Sequence, residues 1–345
     1  FGDGLKTFLH KSDALREVIY FSHAEMFFGD NLSTACILLM EKHARAEDVV
    51  RGWFVDVGAS VSSLADLKTD PAVTARIFTG AELYGARKWN HLFARGAAAH
   101  SAGLVPLSEL ATTKRGLATG ANAFFHLSRA AAAEAGLGEA RLLPCVGKAV
   151  DVQGLEFTTA AFAALEASRR RTRLVDLRGD LTEVEAAYVR SGEAAGFSAR
   201  YLLQARKPWY AQEQRAPAPI WAAVFGRTSM RFVLNTAGVQ SLTTFHGIYP
   251  HVVRRDVPAD VFAKALCACL NSDFIQTQSE TERRVYGSGL MKFEPRDLLR
   301  IKVPDLRHAD ARCLQNLCAA FDALVRADTA QSRAALNTAV MRAVT

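Results

Sequence analysis

No apolar run in this 345-residue sequence approaches the length of a membrane span, and no stretch reads as a signal peptide. That excludes a helical membrane protein as the reading and makes the cytoplasm the expected location. The catalytic signatures of several large enzyme classes are also missing. There is no phosphate-binding P-loop, no Gly-x-Ser-x-Gly nucleophile elbow, no His-Glu-x-x-His zinc motif and no Pro-Pro dipeptide. Cysteine is sparse: Cys36, Cys145, Cys267, Cys269, Cys313 and Cys318 have no zinc-ligand spacing, so no metal is expected and buried free thiols are the reading. No internal repeat or long low-complexity linker is present. The first residue is Phe1 rather than Met, which fits a sequence that begins inside a longer reading frame or after processing.

What is present fits a well-packed protein of two or three domains. Half the residues are hydrophobic, enough for sizeable cores. The net charge is +7, from 42 Lys plus Arg against 35 Asp plus Glu. Arg far outnumbers Lys. The planar guanidinium suits bidentate contacts to phosphate and guanine, although a GC-rich coding bias produces the same surplus.

The patterning changes along the chain. Residues 4–9 read as helix, 16–21 as a strand, 34–41 as a strongly apolar strand and 52–57 as another, which predicts the buried sheet of an α/β domain. Residues 59–98 read as mostly helical. From about residue 104, Pro, Gly and Asn punctuate short apolar runs, as in strands joined by turns. Helices are predicted over 160–170, 181–195 and 259–272, and a hairpin joins 220–225 to 230–235 across Gly226–Ser229. After residue 304 the chain reads as helical. Leu314, Leu317, Phe321 and Leu324, then Leu336 and Val340, form stripes that suit packing on the body or on a partner.

Four segments could carry function. Phe27 and Phe28 precede the apolar strand, where an aromatic pair ordinarily packs beneath its own loop. Arg115 leads into the turn Thr119-Gly120-Ala121-Asn122, whose amides and polar side chains suit a phosphate or a base edge but also an ordinary strand connection. Arg206, Lys207, Trp209 and Tyr210, followed by Arg227, Thr243, Thr244 and His246, interleave cations with aromatics as nucleic-acid surfaces do. His246 has no Ser or Cys nucleophile with a third orienting group, so a catalytic triad is not indicated. Tyr286 and Lys292 flank a glycine-containing basic turn that equally suits a plain surface loop.

In their order, the phrases NLSTACILLMEK, ARKWNHLF, RGLATGANAFFHLS, RKPWYAQE, RFVLNTAG with TTFHGIYP, and LNS followed by YGSGLMKFEPRDLLRIKVP resemble gamma-class adenine-N6 DNA methyltransferases of restriction–modification systems. The resemblance covers residues 1 to about 305. It implies an α/β fragment, the end of a methyltransferase sheet, at 1–98. An α+β target-recognition domain follows at 99–305, and C-terminal helices occupy 306–345. It further implies that Phe27 or Phe28 stacks on a flipped adenine, which replaces the neighbours an extruded base has lost. The other residues named above become candidates for DNA contact.

The sequence departs from that family in having neither the glycine-rich S-adenosylmethionine loop nor the Asn/Asp-Pro-Pro-Tyr/Phe tetrapeptide that holds the target amino group. No catalytic residue is therefore assigned. S-adenosylmethionine is expected to serve only the complete enzyme, on segments upstream or on another chain. The expected function is sequence-specific recognition of duplex DNA and presentation of an adenine. The alternative is a specificity or interaction subunit whose C-terminal helices dock a catalytic or nuclease chain, or a second copy.

Overall fold

A computed structural model describes residues 2–21, 35–42, 49–55, 59, 63, 65–86, 89, 92, 103–227, 229–251, 254–286 and 290–344. The chain is a mixed α/β protein whose residues group into two compact units, one of 1–100 with 283–292, the other of 101–282 with 293–345. No helix among the described residues is long and apolar enough to cross a membrane.

In the first unit, helix α1 (Gly2–Ser12) leads into strand β1 (Leu15–Phe21), followed by β2 (Ala35–Met40), β3 (Val49–Val55) and β4 (Val73–Thr79), and then by helix α2 (Gly80–Gly85). The sheet order is β2-β1-β3-β4. β1 runs parallel to β3, with Ile19 opposite Trp53, and antiparallel to β2, with Ile19 opposite Ile37. Leu9, Leu15, Val18, Val50, Phe78 and Leu83 form a core on one face, and Ile19, Phe21, Trp53 and Val55 form one on the other. Thr79 caps α2 through a reciprocal capping box with Glu82, the hydroxyl accepting from the Glu82 amide at 3.2 Å.

Two expectations fail here. The apolar strand β2 is not buried: it lies at the sheet edge among the described strands, with Cys36, Ile37 and Met40 exposed. Apolar composition alone does not distinguish a two-sided buried strand from an edge strand, which exposes the same side chains. Residues 73–79 are also not helical. The β-branched Val73, Thr74, Ile77 and Thr79 favour the pleated surface, and β4 pairs antiparallel along the whole of β3.

The second unit begins with β5 (Leu104–Pro106) and β6 (Ala111–Arg115), followed by the one-turn helix α3 (Asn122–Phe125), β7 (His126–Leu127) and β8 (Leu142–Val146). Next come β9 (Glu156–Phe157), α4 (Thr159–Ala167), β10 (Arg173–Val175), α5 (Glu183–Ala194) and the short α6 (Tyr201–Gln204). The hairpin of β11 (Ile220–Ala223) and β12 (Phe232–Asn235) leads to β13 (Gln240–Ser241) and β14 (Phe245–Pro250). The chain ends with α7 (Ala259–Asn271), α8 (Asp273–Gln278), β15 (Lys302–Pro304), α9 (Ala311–Arg326) and α10 (Ala330–Val344).

Two sheets organise this unit. One has the order β6-β14-β11-β12-β9, and the other β13-β8-β10-β7. The hairpin is as predicted, with Trp221 opposite Val233. Trp221, Phe245, Phe157 and Val233 fill the core of the first sheet. Phe124, Phe125, Leu142, Cys145, Leu174, Val189 and Leu203 fill that of the second.

Helix α7 is buried along most of its length and is stapled to β12. Asn271 accepts from the Phe232 amide at 3.2 Å and returns a bond to its carbonyl at 2.8 Å, while Gln276 spans the Met230 amide and carbonyl at 3.0 and 2.8 Å. The C-terminal stripes are spent inside this unit. Leu314, Leu317, Phe321 and Leu324 of α9, and Leu336 and Val340 of α10, are buried, with α9 packed on both α7 and α10. Burial raises the thiol pKa values of Cys145, Cys267 and Cys269, as expected of inert core cysteines.

Candidate nucleic-acid interface

The turn between β6 and α3 gathers most of the sequence-predicted residues. Its geometry starts from Thr119, whose side chain is 1% exposed. The hydroxyl donates to Oδ1 of Asn122 at 2.5 Å and accepts from the Ala121 amide at 3.1 Å. Such a side-chain turn competes with regular structure and fixes a tight reversal. Gly120 adopts φ +78°, a left-handed conformation that side chains disfavour. A Cβ there would also sit 3.0 Å from the Leu203 side chain. The turn therefore presses against α6.

Two arginines strap the turn from that side. Arg206 donates from Nη1 to the carbonyls of Thr119 and Ala211, both at 3.1 Å, and from Nη2 to that of Ala118. Arg200 reaches the Gly120 carbonyl at 3.3 Å and lies over the ring of Phe197. Burial pushes the Arg206 pKa below the usual guanidinium value, the cost of placing a cation against carbonyls rather than water. Arg206 is thus a buttress of the turn.

Trp209 and Tyr210 belong to the core beneath it. Trp209 contacts Phe124 and Phe125 with ring centroids 5.4 and 6.0 Å away and donates its indole N–H to Glu193 at 3.0 Å. Tyr210 packs edge-on against Trp209 at 5.7 Å. Lys207 is exposed beside them. The sequence reading missed Tyr201, which is 87% exposed at the start of α6, and its half-exposed neighbour Leu202. Their apolar character had no periodic pattern in a one-turn helix to flag it.

The remaining candidates lie elsewhere. Arg115 is exposed at the end of β6, opposite His246 of β14. His246 itself is buried, with Nε2 3.0 Å from the Phe293 carbonyl, a structural placement. Thr243 and Thr244 form the half-buried turn into β14, and Arg227 is exposed in the β11–β12 connection. Tyr286 and Lys292 sit in the first unit, where the Tyr286 amide bonds the Leu290 carbonyl at 2.8 Å. Phe27 and Phe28 lie outside the described residues. Among the described residues no group of His, Cys, Asp or Glu is placed to hold a metal.

Against known families, the C-terminal domain of the type II methyltransferase M.Eco57I matches residues 91–341. The chain belongs to this family. As an M.Eco57I C-terminal-domain protein it carries the turn, both sheets of the second unit and the terminal helices within the matched span. The match thus runs beyond residue 305, through α9 and most of α10.

Among curated proteins, the chain is similar to the type II methyltransferase M.AccI of Acinetobacter calcoaceticus. The two are 32% identical over 315 residues, covering 89% of this chain and 56% of that one. It is also similar to M.XamI of Xanthomonas campestris pv. amaranthicola, 30% identical over 237 residues, 67% of this chain and 42% of the relative. The chain therefore spans about half the length of these relatives. Among solved structures, the type IIL restriction-modification enzyme MmeI, determined in complex with DNA, superposes with a TM-score of 0.52 at 11% identity. That superposition covers 96% of this chain and 43% of the other, a likeness of fold.

Proposed function

We propose that this chain is the DNA-reading half of an adenine-N6 methyltransferase of a restriction–modification system. It binds duplex DNA sequence-specifically and presents an adenine for methylation. The observation that carries this reading is the family match over residues 91–341. The strapped turn supports it: a rigid loop edged by Asn122, Arg200, Lys207 and the exposed Tyr201 offers cations, an amide and an aromatic face together. Phosphate contacts position a protein on DNA, while amide and guanidinium groups at base edges specify sequence. A rigid platform lowers the entropy cost of both.

S-adenosylmethionine would be the methyl donor of the complete enzyme. The segments that follow the parallel strands β1 and β3 lie almost wholly outside the described residues, and no residue of this chain is assigned to hold it. No methyl-transfer step is assigned to this chain's side chains.

Duplex binding measured by fluorescence anisotropy across a salt series tests the reading. Affinity should fall steeply between about 50 and 200 mM salt as counterions compete. Binding that ignores salt, or no duplex binding at all, overturns it.

A further inference from the structure

Beside the strapped turn, where β8 ends and β10 begins, the second unit opens a cavity of about 440 Å³. Asn122, His126, Gly147, Lys148, Asp151 and the Arg169–Arg171 turn line it. Its charge is one-sided. The single carboxylate, Asp151, is already paired with Arg170. Among the described residues Lys148, Arg169 and Arg171 make no ion pair and no side-chain hydrogen bond. Three cations around one cavity repel one another, and an anion relieves that repulsion.

The backbone at Arg169 adds an independent observation. Arg169 has φ +55° just beyond the end of α4, where its amide bonds the Glu166 carbonyl at 2.9 Å. Glycine is the residue that helix ends favour there, and a side chain in that conformation is strained. The chain places a guanidinium in the cavity wall despite that strain. The floor is equally constrained. A Cβ on Gly147 would fall 2.4 Å from Cε1 of His126, so the bare backbone lies against the imidazole.

We propose that this cavity seats a phosphodiester of the DNA backbone, with Lys148, Arg169 and Arg171 supplying the charge and Asn122 a polar edge. The proposal rests on the DNA-reading function proposed above and gives it a backbone anchor. The volume falls in the roughly 300–1,000 Å³ range of small-ligand sites, larger than a bare ion needs. No Phe, Tyr or Trp is among its lining residues, and the imidazole of His126 is buried against the Gly147 backbone, so it offers no open stacking face for a nucleobase, which favours a sugar–phosphate segment over a nucleotide. Asn122 also accepts the Thr119 hydroxyl bond. A phosphate held here would therefore fix the register of the neighbouring turn on the duplex.

The test compares the 345-residue chain with Arg169→Gly, with the triple variant Lys148→Gln/Arg169→Gly/Arg171→Gln, and with Arg326→Gln, an exposed cation on α9, as control. Each is titrated with a labelled random-sequence duplex across a salt series. Arg169→Gly relieves the left-handed conformation, so it should melt no lower than the parent. The slope of log affinity against log salt should shrink by about 0.9 in the triple variant, the loss of one phosphate contact, and stay unchanged in the control. Parent-like slopes in both the triple variant and Arg169→Gly overturn the proposal while leaving duplex reading intact. A parent chain without salt-dependent duplex binding overturns the underlying function instead. Saturable binding of inorganic phosphate or adenosine monophosphate that Arg169→Gly abolishes, with the duplex slope unaffected, overturns the backbone assignment in favour of a free anion.

Discussion

Arg206 and Thr119 are joined through the Thr119 carbonyl, which accepts a 3.1 Å bond from Nη1 of the guanidinium. The same side chain holds Ala118 and Ala211, so one residue closes the turn from three directions. Removing it leaves part-buried carbonyls without their charged donor. Arg206→Gln should lower unfolding free energy by about 2 kcal/mol, read by urea denaturation. Arg206→Lys should recover only part of that, since an ammonium cannot reproduce the planar fork. A parent-like midpoint in Arg206→Gln would show the strap to be dispensable.

Gly120 fixes the turn by conformation and by space. Alanine there meets both the left-handed φ of +78° and the Leu203 side chain 3.0 Å from its Cβ. Gly120→Ala should cost about 1–3 kcal/mol. Adding Leu203→Ala should relieve the clash but not the backbone term, so the double variant should stay less stable than Leu203→Ala alone. Equal melting of those two would remove the backbone argument.

How far these features were legible in the sequence depends on what each signal measures. The long helices α5, α7, α9 and α10 and the β11–β12 hairpin were readable, because apolar periodicity and turn chemistry are local. The edge position of β2 among the described strands was not, since composition cannot tell which strands pair. Nor was β4, whose pairing with β3 bridges residues 55 and 73. At the site, the Thr-Gly-x-Asn turn was visible. The cations and aromatics around it were not separable by type: Arg206 bonds the turn's carbonyls and Trp209 packs on Phe124, whereas the exposed Tyr201 drew no notice. Asn235 and Asn271, inside phrases that carry the family resemblance, are buried and bond backbone at 2.8–3.4 Å. At these positions the resemblance records architecture.

That division between structural and exposed aromatics can be measured. Trp209→Ala removes an indole packed on Phe124 and Phe125 and should cost about 3 kcal/mol of stability. Tyr201→Ala, on a side chain 87% exposed, should change stability by no more than about 0.5 kcal/mol. It should weaken DNA binding by about 1 kcal/mol, the scale of one truncated aromatic interface contact. Chemical denaturation and anisotropy on the same two variants decide the matter. A Tyr201→Ala variant with parent-like DNA affinity would remove the aromatic from the interface.

His126 gives the second unit a pH-dependent stability. Burial holds its pKa below the ordinary 6.5, opposed by the bond to the Cys145 carbonyl, reinforced by the Arg171 charge and opposed by Asp151. As pH falls through 6.5 the unfolded chain takes up the imidazole proton first, while the folded chain keeps His126 neutral. The folded state is therefore fully favoured by this group above pH 6.5, and that contribution is lost as pH falls from 6.5 towards the folded-state value. The loss can reach about 1.4 kcal/mol per pH unit for a single proton. Urea unfolding of the parent between about pH 7.5 and 5 should show a falling midpoint that His126→Gln flattens. Arg171→Gln should narrow the window, because one of the charges lowering the pKa is gone. If His126→Gln leaves the pH slope unchanged, the titration belongs to other groups.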